Sequence, residues 1–173
     1  MKTKLSILLA VLVFLNFSVS AQQKSKKELK AERELQKQKE IEALIDAKDF
    51  VFEAQKTTPT GGRIINLDYN TYFLNFNTEK TTCDLPFFGR GYNVGYGTDG
   101  GIKFEGVPYN LKIEKNKKNY VVKATVKGRN DVYDLVFTIF FNGNSSLSVS
   151  SNNRASIFYD GVVSAPKKVV SKE

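Results

Sequence analysis

The spacing of hydrophobic and polar residues changes near residue 49 and divides the chain into a helical lead and a β-rich region. Residues 22–48 are rich in Lys, Glu, Gln, Ala and Leu and lack Gly and Pro, so they predict a charged helix over Lys26–Ala47. Only its C-terminal turns, with Ile41, Leu44 and Ile45, carry an apolar stripe wide enough to pack against a domain. The first half of the helix is expected to project freely.

From Phe50 onward, apolar and polar residues alternate, as in half-buried strands. Strands are predicted at Phe50–Ala54, Arg63–Leu67, Tyr72–Asn77, Thr81–Leu85, Tyr109–Lys115, Tyr120–Lys127, Val132–Phe141, Ser146–Ser151 and Ser156–Val163. Short turns separate the later strands, and Asn142-Gly143 is a strong hairpin signal. The sequence thus predicts one all-β, mainly antiparallel domain of about eight strands over residues 50–163, with an N-terminal α-helix. A barrel-like form is favoured over a two-sheet sandwich, and residues 164–173 are expected to be a disordered tail.

The outward face of the predicted strand Val132–Phe141 is unusually apolar, because Val136 and Phe140 lie on it. Either the helix covers this face or it is a contact surface. Cover by the helix is favoured, because the apolar turns of the helix need a place to pack.

The N-terminus has the features of a secretory signal over residues 1–21. Lys2 and Lys4 precede the apolar run Leu5–Phe17, and small residues end at a cleavage site near Ala21. The run is shorter than the roughly twenty residues of a membrane-spanning helix, so no transmembrane anchor is expected. The sequence therefore predicts an exported protein, periplasmic or secreted. The single cysteine, Cys83, cannot form an internal disulfide and is interpreted as a buried, inert thiol, with an exposed reactive or dimer-linking thiol as the alternative.

The positive charge of the chain is concentrated in one predicted hairpin. The chain has a formal net charge of +8, and Lys112–Arg129 contains seven basic residues and the single acid Glu114. A solvated surface is the favoured interpretation, and an anionic partner such as lipid headgroups or acidic polysaccharide is the alternative. Nucleic acid is not expected as a partner, because the lysines are separated point charges without the aromatic stacking platforms of single-strand binders, and because export argues against such a partner.

The chain contains no histidine, which excludes Ser/His/Asp and Cys/His catalysis and histidine-bound zinc. Carboxylate pairs such as Asp131 with Asp134 or Asp99 with Glu105 are interpreted as solvated surface residues. No calcium-binding loop pattern is present. We therefore expect no enzyme activity, no catalytic residues, no cofactor and no bound metal.

The segment Leu85–Gly106 is the most unusual part of the chain and holds seven of its twelve glycines. It contains the pattern G-x-G-x-x-G at Gly95–Gly100, but residues 102–109 predict a strand where a dinucleotide site needs a helix. A structural loop shaped by glycine and aromatic residues is the favoured interpretation, and a loop that binds another ligand or a partner is the alternative. The candidate binding residues are Phe87, Phe88, Arg90, Tyr92, Tyr96, Asp99 and Arg154. Among them, Arg90 and Arg154 are expected to brace loops by hydrogen bonds rather than to contact a ligand.

Three motifs together resemble those of the domain of unknown function 4251 family: Leu85–Gly91 (LPFFGRG), Asp99–Phe104 (DGGIKF) and Ser151–Arg154 (SNNR). The resemblance covers roughly residues 50–163. It implies a small exported bacterial protein with a short helical lead and a β-rich domain, and it assigns no activity, cofactor or site residue.

These observations predict an exported, non-enzymatic β-domain whose segment 85–106 binds a small apolar or amphipathic ligand or a partner protein. One alternative is a structural or interaction protein of the cell envelope. A second is a hydrolase without histidine, which would need two carboxylates or a Ser with a Lys in one concave site.

Overall fold

The computed structural model describes residues 25–92 and 100–166, which form one helix and ten strands. The predicted signal and most of the predicted tail lie outside the described residues. The elements are α1 (Lys26–Ala47), β1 (Asp49–Pro59), β2 (Ile65–Asn66), β3 (Phe73–Asn77), β4 (Thr81–Leu85), β5 (Ile102–Gly106), β6 (Pro108–Lys115), β7 (Asn119–Lys127), β8 (Val132–Phe140), β9 (Asn144–Ser151) and β10 (Ile157–Ser164). The chain divides into two compact units, residues 1–33 and 34–173.

In the first unit, the described residues 25–33 begin α1 with a capping box. The backbone N–H of Ser25 donates to Glu28 Oε2 at 2.8 Å, and the Glu28 N–H donates to Ser25 Oγ at 3.2 Å. These two bonds satisfy backbone groups that have no partner within the helix. They explain why the helix starts where the sequence predicts it.

In the second unit, the C-terminal turns of α1 pack into the β-domain core. Ile41 and Ile45 are completely or almost completely buried, and Leu44 packs against the same cluster. The turn between β8 and β9 lies against this part of the helix, and Gly143 takes a left-handed conformation there with φ of 90°. The helix ends at Ala47, and the next residue, Lys48, takes a left-handed conformation with φ of 54° and donates its N–H to the Ile45 carbonyl.

The strands form one antiparallel sheet in the order β5-β4-β3-β1-β10-β9-β8-β7-β6, with the short β2 paired to β1. The sheet curls into a nearly closed barrel, so the barrel-like prediction is confirmed, with slightly more strands than expected. Its edge strands β5 and β6 are consecutive in the chain and separated only by Val107. At this junction the backbones approach so closely that a Cβ on Gly106 would lie 2.5 Å from the carbonyl oxygen of Lys127 in β7.

Aromatic side chains fill the interior of the sheet. Phe137 of β8 makes edge-to-face contacts with Phe50 and Phe76 at centroid distances of 5.4 and 5.9 Å, and with Phe52 at 6.1 Å. Phe50 and Phe76 also stack at 4.9 Å. All four rings are at most 1% exposed. The alternation used to predict the strands therefore corresponds to inward- and outward-facing residues.

Strand β1 contains a bulge between Ala54 and Lys56, where its register with β10 shifts. Gly161 of β10 pairs with Ala54 at this point, and a Cβ on Gly161 would lie only 1.9 Å from the Glu53 carbonyl oxygen. The bulged backbone thus occupies the space that any other side chain at position 161 would need.

Two expectations from the sequence were wrong in detail. The predicted strand Arg63–Leu67 is reduced to the two residues of β2. The helix does not cover the outer face of β8, because Phe140 is 41% exposed while Ile41 is fully buried in the core. Insertion of the apolar turns into the core removes them from water completely, which an open outer face could not do.

Cys83 faces the core, as predicted. It is 5% exposed, and its thiol lies 3.4 Å from the Ile102 carbonyl oxygen. Burial, reinforced by the nearby Asp84 carboxylate, raises the pKa of the Cys83 thiol well above its ordinary value. The thiol is therefore a protonated, poorly reactive core group.

We predict that Gly161→Ala destabilises the domain by at least about 2 kcal/mol, because the added methyl group forces the β1 and β10 backbones apart. The matched control is Gly100→Ala, since a Cβ on Gly100 would meet no atom within 4 Å. Urea unfolding followed by circular dichroism measures both variants. Equal free energies of unfolding for the two variants would contradict the close approach.

We also predict that Ile41→Ala lowers the free energy of unfolding by about 2–5 kcal/mol, the usual result of truncating a fully buried aliphatic side chain. Leu35→Ala is the control on the same helix, because Leu35 is 54% exposed, and it should change stability by less than about 0.5 kcal/mol. Similar effects of the two substitutions in urea unfolding would mean that α1 is not anchored in the core.

Candidate functional site

The loop after β4 is held against the connection between β9 and β10. Gly91 forms an antiparallel bridge with Arg154, through two backbone hydrogen bonds. The Tyr92 N–H donates to the Asn153 carbonyl at 2.8 Å, and the Ala155 N–H donates to the Arg90 carbonyl at 2.9 Å. The two loops are 60 residues apart in sequence and form a single braced unit, the loop end of the barrel (residues 85–92, 100–101 and 152–155).

The side chain of Arg154 braces the same unit from a second direction. Its Nη1 donates to the Gly100 carbonyl at 3.0 Å, and its guanidinium carbon lies 5.1 Å from the centroid of the Phe87 ring. A planar guanidinium can stack on a ring and donate a hydrogen bond at once, which an ammonium cannot do as well. Gly89 leaves room for the Phe87 ring, because a Cβ there would lie 2.6 Å from Phe87 Cζ.

A hydrogen bond from the buried Tyr159 holds the start of the loop at Pro86. The hydroxyl of Tyr159 in β10 donates to the Pro86 carbonyl at 2.7 Å, and the side chain is fully buried. Burial, with a smaller effect of Cys83, raises the pKa of Tyr159 far above its ordinary value. The hydroxyl therefore stays protonated and remains a hydrogen-bond donor throughout the physiological pH range.

Tyr133 and Asp131 lie at the same end of the barrel. Tyr133 stacks on Phe104 at a centroid distance of 4.4 Å, and burial followed by the Asp131 charge raises its pKa. Asp131 Oδ1 accepts the Val132 N–H at 2.9 Å, whereas its Oδ2 is buried without a hydrogen-bond partner in the described part of the chain. Asp131 thus lies in the turn before β8 and is partly buried, rather than being the solvated surface residue that the sequence predicted.

The outer side of the loop end exposes aromatic surface. Phe88 is 50% exposed and Tyr92 is 68% exposed, although the backbone that carries them is braced. Next to Phe88 lies a groove of about 360 Å³ that is lined by Tyr72, Asp84, Leu85, Pro86, Phe87, Phe88, Gly100, Gly101 and Lys103. Lys103 and Asp84 form an ion pair at 3.5 Å within this lining. The groove therefore has a mixed lining, with polar atoms and one ion pair beside the aromatic rings of Tyr72, Phe87 and Phe88.

The structure brings together Phe87, Phe88, Tyr92 and Arg154 of the predicted site residues. Arg90 is close in space, but only its backbone takes part, since its exposed side chain has no hydrogen bond or ion pair within residues 25–92 and 100–166. Tyr96 and Asp99 lie outside the described residues. Sequence reasoning missed Tyr72 and Tyr159. Tyr159 could have been found, because it lies on the inward face of a predicted strand. A buried tyrosine hydroxyl requires a hydrogen-bond partner.

The described residues contain no group of three His, Cys, Asp or Glu side chains that could hold a metal ion. Asp134, the other member of the weighed carboxylate pair, is exposed on the outer face of β8, where it accepts a hydrogen bond from Thr125 Oγ1 at 2.8 Å. Among these same residues, no helix is long and apolar enough to cross a membrane.

We predict that Arg154→Ala loosens the loop end without unfolding the barrel. Hydrogen exchange of the Tyr92 and Ala155 amides should accelerate, because both bonds depend on the position of the loop that Arg154 holds. Arg90→Ala is the control of equal charge change, and it should leave these amides protected. Equal acceleration in both variants, measured by hydrogen exchange with mass spectrometry, would contradict the bracing role of Arg154.

Comparison with known proteins agrees with this architecture. The chain is similar to the crystal structure of a DUF4251 family protein from Bacteroides eggerthii DSM 20697, with a TM-score of 0.59 and 20% sequence identity, over 75% of this chain and 87% of that chain. A likeness at this identity concerns the fold alone. A search of curated proteins found no match. The family model described as Domain of unknown function (DUF4251) matches residues 32–163, which confirms the resemblance drawn from the three motifs. The chain therefore belongs to the DUF4251 family.

Proposed function

We propose that this protein is an exported, non-catalytic binding domain that holds a partner protein of the cell envelope at the loop end of its barrel. The observation that carries the proposal is the bracing of exposed aromatic side chains. Arg154 fixes Phe87 and the Gly100 carbonyl while Phe88 and Tyr92 stay largely exposed beside them.

Removal of large aromatic side chains from water is especially favourable in free energy, because each of them buries about 150–250 Å² of surface. A loop that is held rigid with such side chains outside loses little conformational freedom when a partner covers them. This is the arrangement expected of a preformed contact site, in which aromatic residues supply most of the binding free energy.

The filled interior favours a surface partner over an enclosed small ligand. Phe50, Phe52, Phe76 and Phe137 occupy the space inside the sheet. The groove beside Phe88 is lined in part by outward-facing side chains, such as those of Asp84 and Lys103. A small ligand would therefore have to lie on the outside of the barrel. A protein partner covers more apolar area there than a small ligand does.

Export is part of the proposal and is supported by the basic, apolar and small-residue regions of residues 1–21. The non-catalytic part is supported by the lack of histidine in the sequence and by the separation of Asp131 from Asp134, one in a turn and one on the outer face. The relevant partner is then one that the protein meets in the envelope of its producing cell.

The test places the photocrosslinking residue p-benzoylphenylalanine at position 88 or 92 in the producing cells. Positions 69 and 158 are the matched controls, because Tyr69 and Phe158 are also aromatic and are 76% and 50% exposed. We expect the same discrete adduct from positions 88 and 92 and none of it from the controls. Adducts that form equally at all four positions, or at none, would contradict the proposal.

Once the partner is identified by mass spectrometry, the double variant Phe88→Ala/Tyr92→Ala should weaken binding by about 2 kcal/mol or more, as for central aromatic residues of an interface. Tyr69→Ala/Phe158→Ala should leave the affinity unchanged. Isothermal titration calorimetry measures both, and equal losses would mean that the contact does not lie at the loop end.

A further inference from the structure

We call residues 112–129 the basic hairpin. They include the end of β6, the turn to β7, β7 itself and the start of the next turn. This segment holds most of the net charge of the chain. The whole chain has a formal net charge of +8, and this segment contributes seven basic residues and one acid. The remaining residues are therefore close to electrical balance, and the long-range field of the protein is centred on the hairpin.

Several of these lysines are not neutralised by the fold. Lys115 forms an ion pair with Glu42 of α1, and Lys123 lies 3.7 Å from Glu114. Lys112, Lys117 and Lys118 are exposed and have no ion pair within the described ranges 25–92 and 100–166. Glu42 and Glu114 are thus already engaged, which leaves three unneutralised cations near the tip of the hairpin.

The fold fixes the tip of the hairpin in place. The Asn116 N–H donates to the Asn119 carbonyl at 2.8 Å, and Asn116 Nδ2 donates to Asn119 Oδ1 at 2.9 Å. These two bonds close the turn on which Lys117 and Lys118 stand. The cations are therefore displayed on a structured turn rather than on a loose loop.

Exposed apolar side chains lie beside these cations. Val121 in β7 and Val136 in β8 are half-buried on the outer face, where they pair in register with Thr138 and Lys123. Phe140 in β8 is 41% exposed and pairs in register with Asn119, at the same end of the sheet as the tip. This is the outer apolar face that the sequence indicated and that the helix leaves open. Cations beside a small apolar surface are the pattern of segments that lie on anionic bilayers.

We infer that the tip of the basic hairpin docks on an anionic lipid surface, with Lys112, Lys117 and Lys118 at the headgroups and Phe140 at the acyl boundary. The chemistry of the cations favours lipid over an acidic protein. Lysines are mobile point charges that suit a diffuse layer of headgroups, whereas fixed carboxylates are usually recognised by the planar fork of arginine. The tip itself contains no arginine, since Arg129 lies at the far end of the hairpin.

This docking does not depend on the proposed partner site. The loop end is formed by the connections β4–β5 and β9–β10, whereas the hairpin tip lies beside α1 and the β8–β9 turn. Loss of one interaction should therefore leave the other intact. Phe88→Ala/Tyr92→Ala should bind vesicles as the unmodified protein does.

The test is cosedimentation of the protein, as recovered from its producing cells, with vesicles of phosphatidylcholine that contain about one-third phosphatidylglycerol, at low ionic strength. Lys112→Gln/Lys117→Gln/Lys118→Gln should lower the partition coefficient about 100-fold, because each lysine near an anionic surface contributes about a fivefold increase. Lys26→Gln/Lys27→Gln/Lys39→Gln is the matched control, with the same charge change on exposed positions of α1. It should keep nearly all binding.

Two further measurements distinguish the kinds of partner. Phe140→Ser should weaken vesicle binding several-fold without changing retention on immobilised poly-L-glutamate, a soluble acidic chain without an acyl layer. Thermal unfolding confirms that each variant is folded. The inference is overturned if the unmodified protein does not bind the vesicles, if the control triple variant loses binding equally, or if poly-L-glutamate is bound as tightly as the vesicles.

Discussion

Phe137 packs against three aromatic rings from strands that lie across the barrel from it. The rest of the structure depends on this packing. β8 is separated from β1 by β9 and β10 in the sheet, and from β3 by one strand more. Contact of Phe137 with Phe50, Phe52 and Phe76 is therefore contact across the barrel interior. These rings fill the middle of the interior, and the sheet curls around them.

The two ends differ in chemistry because different connections meet there. At one end, α1 inserts Ile41 and Ile45 beneath the sheet, next to a hairpin rich in lysine. At the other, loops from distant parts of the chain are joined by Arg154 and by the hydroxyl of Tyr159. The barrel wall thus separates an aromatic end from a basic end.

Much of this architecture follows from the alternation of residue types along the chain. The helix bounds and most strands were predictable, because inward and outward residues of a curled sheet differ sharply in polarity. The bulge at Ala54 and Lys56 was not predictable, since it adds a residue without breaking the run of strand-forming residues. The packing of α1 was also missed, because a stripe such as that of Ile41 and Ile45 does not reveal which apolar surface receives it.

The candidate site was predictable in composition and not in geometry. Gly and aromatic residues in segment 85–92 marked a shaped loop, yet Arg90 and Arg154 were equivalent in the sequence. The structure distinguishes them, because only Arg154 reaches across to Phe87 and Gly100. A contact between residues so far apart in the chain leaves no local pattern, which is why Tyr159 and its partner Pro86 were missed as well.

The strand order has a consequence for how the two halves of the barrel are held together. The sheet has two halves, which we call leaves: strands β1 to β5 and strands β6 to β10. Within each leaf, adjacent strands follow one another along the chain, apart from the β2 branch. Val107 links the leaves covalently, and the pairing of β1 with β10 joins them on the far side. Arg154 belongs to one leaf, and Phe87 and Gly100 belong to the region of the other. The contacts of Arg154 therefore join the two leaves at the loop end, so that separation of the leaves must break these contacts in addition to the pairing of β1 with β10.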